Sequence, residues 1–276
     1  MALQLKLVEM GRGPRWVAEG FRLFARRPMA LTLLFVVFAA ATTLAAALLP
    51  LVGGLLQLIA MPLLSLGYMV AARSALSDGP VHPGQFISPL RSDPVRRRAL
   101  LVICGAYGLL AFAVLMLSGW VSDDAMTRLQ VLIAKGESAR AQVIAVLDEP
   151  GVTQAALLLM TLGTALSLPF WFAPALVHWG AQGVGQALFS STLALWRNKS
   201  AFLAFGVAWV AVVGLVSVAL AALLTLLGAG RLVGVLLMPV ALLLTTVFYV
   251  SQLFAFSDIF GAAVFGDDEP PPSTVA

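Results

Sequence analysis

The sequence predicts an all-α fold: a polytopic membrane bundle of about six transmembrane helices with amphipathic interfacial helices attached. Three observations carry this reading. The 276 residues are 61% hydrophobic and only 11% charged, with a mean hydropathy of +0.97, whereas a soluble domain carries about 25% charged residues. Apolar runs recur at about the 20 residues that a helix needs to cross roughly 30 Å of hydrocarbon. None of these runs alternates in the manner of a membrane β-barrel strand of about ten residues. In lipid the remaining way to satisfy every backbone N–H and C=O is the helix.

The elements follow in order. Residues 1–28 form an N-terminal arm in which Trp16, Val17, Phe21, Leu23 and Phe24 share one helical face, opposite Arg15, Glu19, Arg22 and Arg26. That pattern predicts an interfacial amphipathic helix with Trp16, Arg22 and Arg26 as anchors. The arm is too long for the n-region of a signal peptide, so the run that follows is read as a retained span. Pro28 suits the first turn of that new helix. A six-helix transmembrane domain then occupies 29–260, with spans at about 29–49, 52–73, 99–119, 153–177, 201–227 and 232–255. The 78–94 loop, with Pro80, Pro83, Pro89 and Pro94, is expected to be extended, dipping Phe86, Ile87 and Leu90 into the interface. Residues 120–152 read as an outer lid of two short helices broken at Gly136. The first is expected to be capped by Ser122 or Asp123 and to bury Met126, Leu129, Leu132 and Ile133. The second is expected to bury Val143, Ile144 and Leu147. An inner interfacial helix is expected at 181–197, and 261–276, ending GDDEPPPSTVA, as a disordered acidic tail.

Lys and Arg concentrate in alternate connections: the N-terminal arm, the 73–98 stretch with Arg96-Arg97-Arg98, and the 178–200 connection. By the positive-inside rule both termini are expected in the cytoplasm. The pI near 9.7 is therefore a topology signal, and nucleic acid is not an expected partner.

Two stretches bear on function. LFARRPMALTLLF (23–35) resembles LALWRNKSAFLAF (193–205), and each is followed by a span with Met-Pro and a later Tyr: Met61-Pro62 with Tyr68, Met238-Pro239 with Tyr249. This is the pattern of a parallel repeat. Prolines in corresponding spans point to a transporter's central site, where broken helices free carbonyls for a solute; the other reading is a simple kink. The span centres hold no ionisable residue, since Arg73, His178, Arg231 and Asp258 all fall near span ends. That speaks against a proton-coupled pump. Interior Gln57, Thr161, Thr164, Ser167, Thr245 and Gln252 are the residue types that hold membrane helices together.

The second stretch, LPFWFAPALVHW (168–179), closes the fourth span. Trp171 and Trp179 suit an aromatic belt, as does Trp196 at the end of the next helix. Pro169 and Pro174 are expected to bend this end. It is either an anchored kink or a shallow pocket in which His178, Arg197 and Lys199 face a lipid headgroup or phosphate. HExxH, GxSxG, P-loop and CxxC motifs are absent from the sequence, which holds one cysteine, Cys104, and two histidines. An enzyme is not expected, nor a metal or other cofactor.

APALVHW, the ALFSS segment, WRNKSAF and the N-terminal LKLVE…GFRLFARRP together resemble a family of multi-pass inner-membrane proteins of Gram-negative bacteria that has no assigned activity. The likeness runs over nearly the whole chain. It implies an inner-membrane location and transfers no site residue. The expected function is that of a non-catalytic accessory, scaffold or lipid-interacting protein, with membrane lipids or a second membrane protein as partner. The alternative is a permease or lipid transporter using proline-broken second and sixth spans at Pro62 and Pro239, with a cavity between them.

Overall fold

The computed structural model describes residues 3–49, 52–91, 93–123, 125–134 and 140–261. Its helices are α1 (Arg12–Arg26), α2 (Pro28–Leu48), α3 (Gly53–Leu76), α4 (Pro94–Val121), α5 (Ala125–Ala134), α6 (Arg140–Leu147), α7 (Pro150–Phe170), α8 (Ala173–Gly180), α9 (Val184–Arg197), α10 (Lys199–Leu226) and α11 (Val233–Phe260). Six helical segments are long and apolar enough to cross a membrane: α2, α3, α4, α7 with α8, α10 and α11. Proline sits in the first turn of α2, α4, α7 and α8, where its missing N–H has no partner to lose.

Helix α3 is the hub, with 44% of its apolar window buried against 11% for α2 and for α10. It packs on α2, α4 and α11, and α4 continues the contacts to α7. Close approach is set by small residues: Gly108 of α4 abuts the backbone of Ile59, and Gly67 accepts the ring of Phe86. Tyr68 donates to the Leu31 carbonyl at 3.0 Å, tying α3 to α2, and stacks on Tyr249 of α11 at 5.5 Å. The two similar stretches share an element order, an approach helix and then two spans, in α1–α3 and α9–α11. Their approach helices pack differently, α1 on α10 and α11, α9 on α7 and α8.

Helix α1 is not embedded in headgroups by its apolar face. That face docks on the bundle. Trp16, expected as an interfacial anchor, is 0% exposed, its ring set against Phe202 and Phe205. Its Nε1–H donates to Asp258 of α11 at 2.6 Å, and Arg12 Nε donates to the same carboxylate oxygen at 2.6 Å. Gly13 lies on the backbone of Ala201 and Phe205, and a Cβ at Gly20 would come within 2.8 Å of Ser251 Cβ. The protein offers this face aromatic partners and a carboxylate for its indole N–H, which a headgroup layer does not supply in fixed positions. Arg15, Arg22 and Arg26 remain exposed on the outer face.

Upstream of α1 the chain forms an extended strap. Lys6 N–H donates to Ile259 O at 2.7 Å. Val8 N–H donates to Asn198 Oδ1 at 2.8 Å, and Asn198 Nδ2 returns a bond to Lys6 O at 3.2 Å. Asn198 is fully buried between α9 and α10.

Other expectations are corrected in detail. The 78–94 loop forms two 3-10 turns, Pro83–Phe86 and Ser88–Arg91, and Phe86 packs on Phe38 and Tyr68 instead of reaching an interface. Ile87 is exposed. In the lid, Ala125, Val146 and Val152 form the apolar contact, with Leu129 and Leu132 beside it. Ile133 of α5 is exposed, and so are Ile144 and Leu147, because α6 is rotated to bring Val146 inward. Arg128 grips Glu149 with two bonds, at 2.7 and 3.2 Å. The expected break at Gly136, the Met126 side chain and residues 262–276 lie outside the described residues.

Two expectations follow for the docking of α1. Gly20→Leu forces α1 off Ser251, at a cost of about 1–3 kcal/mol. Gly163→Ala, whose Cβ meets nothing within 4 Å, should hold or raise stability, since alanine is the better helix former. Cys104 is 1% exposed, so maleimide labelling on heating in detergent reads both. Glu19 supplies the second test. Burial raises its carboxyl pKa, and Arg12 Nη1 at 3.4 Å offsets this only in part. Its neutral form is favoured in the fold, so its contribution is present below the ordinary glutamate range and is lost as pH rises through its folded pKa. Glu19→Gln should therefore gain on the parent in unfolding midpoint as pH rises from about 4 to about 7; a gain that shrank with pH would refute this.

Candidate functional site

The fourth span breaks between α7 and α8. Pro174 has no N–H, and the Phe172 N–H does not close the usual bond to Leu168 four residues back. It donates instead to Ser191 Oγ of α9 at 3.0 Å, and that hydroxyl donates to the Leu168 carbonyl at 2.9 Å. One hydroxyl thus bridges both halves of an opened helical bond, the way membrane helices tolerate such interruptions. The break lets α8 run on between α3, α4 and α9, with Ala173 to Val177 all buried.

Beside the break lies a cavity of about 160 Å³ between α3, α4, α7 and α11, lined by residues including Pro62, Ser65, Tyr107, Trp171, Phe248 and Gln252. Ser65 Oγ donates to Gln252 Oε1 at 2.5 Å. A wider groove, about 350 Å³, runs between α10 and α11 at mid-span, lined by residues including Trp209, Val213, Leu237, Ala241, Leu244 and Phe248. Phe248 belongs to both walls. Its ring meets Trp171 at 6.0 Å on one side and Trp209 at 5.6 Å on the other. The indole N–H of each of these tryptophans is buried without a partner. No Asp, Glu, Lys, Arg or His lines either space.

The proline expectation is corrected. Helices α3 and α11 run unbroken through Pro62 and Pro239. In lipid no water competes for the neighbouring backbone groups, so loss of a single N–H leaves the helix intact. Pro62 lines the smaller cavity, whereas Pro239 is exposed on the outer surface.

The grouping of His178 with Arg197 and Lys199 is corrected too. Arg197 is exposed, and Lys199 stands over the Trp196 ring at 5.5 Å, with Trp196 itself exposed. The cations that reach His178 come from other elements. Arg96, in the first turn of α4, donates from Nη1 to the His178 carbonyl at 3.2 Å. Arg73, in the last turn of α3, lies 6.0 Å over the ring of Trp179. Trp179 packs on His178 at 5.5 Å and on Phe256 at 5.4 Å, and His178 Nδ1 is buried without a partner. The sequence reading did not find Ser191, Asn198 or Arg96. A lone Ser or Asn on an amphipathic helix carries no signal of its partner, and the Arg96-Arg97-Arg98 run looks uniform until the fold turns one of the three inward. Among the described residues no cluster of His, Cys, Asp and Glu could hold a metal ion.

The chain is 32% identical over 270 residues to a protein of Burkholderia thailandensis named a probable inner membrane protein, and the match covers 98% of each chain. No protein-family model and no solved structure matches it.

Ser191 yields the test of this region. Ser191→Val leaves the Phe172 N–H and the Leu168 carbonyl unpaired inside the protein and should lower stability by about 1–3 kcal/mol. Ser191→Thr keeps the hydroxyl and should recover most of it, with the thermal midpoint as readout. Equal losses in both variants would mean that side-chain volume, not the bridge, matters there.

Proposed function

The chain belongs to the same family as the probable inner membrane protein of Burkholderia thailandensis, and on that premise we propose that it is a non-catalytic accessory protein of the inner membrane that binds lipid. The observation carrying this reading is the mid-span groove between α10 and α11, with the smaller cavity behind Phe248. Both linings are mostly apolar and hold no Asp, Glu, Lys, Arg or His, and the groove lies at the depth of acyl chains. A hydrocarbon chain matches that lining, whereas a charged solute would lose its hydration without recovering it. Lipid contact is also supported by the exposed arginines on α1, suited to anionic headgroups. The distribution of Lys and Arg supports both termini in the cytoplasm.

The permease reading retains one observation, the cavity beside Pro62 between α3 and α11. Its other half is missing, since α11 is unbroken at Pro239.

Extraction into native lipid discs followed by mass spectrometry tests the proposal. A lipid should be retained at defined stoichiometry and lost in Val213→Trp, which fills the groove. Retention of a stoichiometric protein partner with no bound lipid would sink the lipid reading and leave a scaffold. Substrate flux in proteoliposomes would favour the permease. For topology, a reporter fused at either terminus should be active only on the cytoplasmic side.

A further inference from the structure

The strongest departure from ordinary helix electrostatics lies at the end of the bundle that carries the 73–98 connection. The N-terminus of a helix carries partial positive charge and favours carboxylates in its first turn. Helix α4 begins instead with Arg96, Arg97 and Arg98 and has no acidic residue there. Asp93 caps it by accepting from the Arg96 backbone N–H at 3.3 Å, and is itself exposed. Arg97 and Arg98 point to the outside. Arg96 turns inward, half-buried, and spends one N–H on the His178 carbonyl near the end of α8.

Arg73 approaches the same place from α3. It is half-buried, and among the described residues its guanidinium has neither a carboxylate nor a hydrogen-bond acceptor, only the face of Trp179. A guanidinium has five N–H donors in a planar fork suited to carboxylate or phosphate oxygens. Two half-buried guanidinium groups thus converge on the His178-Trp179 pair, most of their donors unspent, beside a His178 Nδ1 that is also unpartnered. Half-buried positive charge without an anion is costly, and a fold that breaks a local rule without compensation does so at functional sites.

We propose that Arg73 and Arg96, with His178 and Trp179 between them, form a binding site for a phosphate-bearing anion. Arg73 is held by the Trp179 face and Arg96 by the His178 carbonyl, so both forks are fixed before the anion arrives. The chemistry is that of a phosphate ester, from a lipid headgroup or from free phosphate. The proposal rests on the lipid-binding reading and deepens it by naming the headgroup class.

The test uses the full chain in detergent, with Cys104 labelling on heating as the stability readout. It is titrated with phosphatidylglycerol, with phosphatidylcholine, or with inorganic phosphate. Phosphatidylglycerol should stabilise the parent at lower concentration than phosphatidylcholine. Arg73→Gln and Arg96→Gln should each weaken that response about tenfold, as expected for a lost charge-assisted bond, while Arg97→Gln and Arg98→Gln leave it unchanged. If a glutamine variant does not fold, Arg73→Lys and Arg96→Lys, which keep charge but lose the fork, should show a partial loss. Stabilisation by inorganic phosphate that competes with the lipid would support the site and assign free phosphate as its source. Equal effects of all four glutamine variants, or no preference over phosphatidylcholine, would overturn the proposal. A parent protein that retains no lipid in native discs yet still shows the arginine-dependent phosphate response would defeat the broader reading while leaving this site standing.

Discussion

Inside hydrocarbon every backbone N–H and C=O must find its partner within the protein, and the architecture follows from that constraint. It makes each span a helix, and it explains why α3 and α11 continue through Pro62 and Pro239. Where the chain does break, between α7 and α8, the same constraint demands a substitute. Ser191 provides it by accepting from Phe172 and donating to Leu168. The break in turn frees α8 to lie between α3 and α4 and to carry His178 and Trp179 to the arginines.

Charge obeys a related rule. The ion pairs lie at the ends of the bundle: Arg12 with Asp258 and Glu19, Arg27 with Asp78, Arg128 with Glu149. The middle holds aromatic rings, small residues and a few hydroxyls and amides. Cohesion there comes from close approach, as at Gly108, and from ring contacts, of which Phe248 makes several. With neighbours so apolar, packing and not water exclusion drives helix association. The groove between α10 and α11 marks where that packing is incomplete.

Composition and the length of the apolar runs made the six spans legible, because membrane thickness writes itself directly into sequence. The amphipathic pattern of 12–26 was equally legible as a helix, but not as a docked one. An apolar face reads the same whether lipid or protein covers it, and what decides is the pairing of Trp16 with Asp258, 242 residues away. The candidate site was legible in one half. The aromatic run ending at His178 and Trp179 marked the place, but proximity along the chain suggested Arg197 and Lys199, and the fold brings Arg73 and Arg96. In the lid, an eight-residue helix gave too few apolar positions to fix its rotation, so Val146 was missed in favour of Ile144 and Leu147.

The strap upstream of α1 orders the assembly of the molecule in time. Lys6 and Val8 are made long before their partners, Asn198 and Ile259. The same holds for Trp16 and Asp258. The arm's contacts with Asp258 and Ile259 therefore wait until the sixth span has been made. During that interval its apolar face needs another cover, and the arginines opposite suit it to rest on the membrane surface. Closure of the arm onto α11 thus comes after the sixth span is in place.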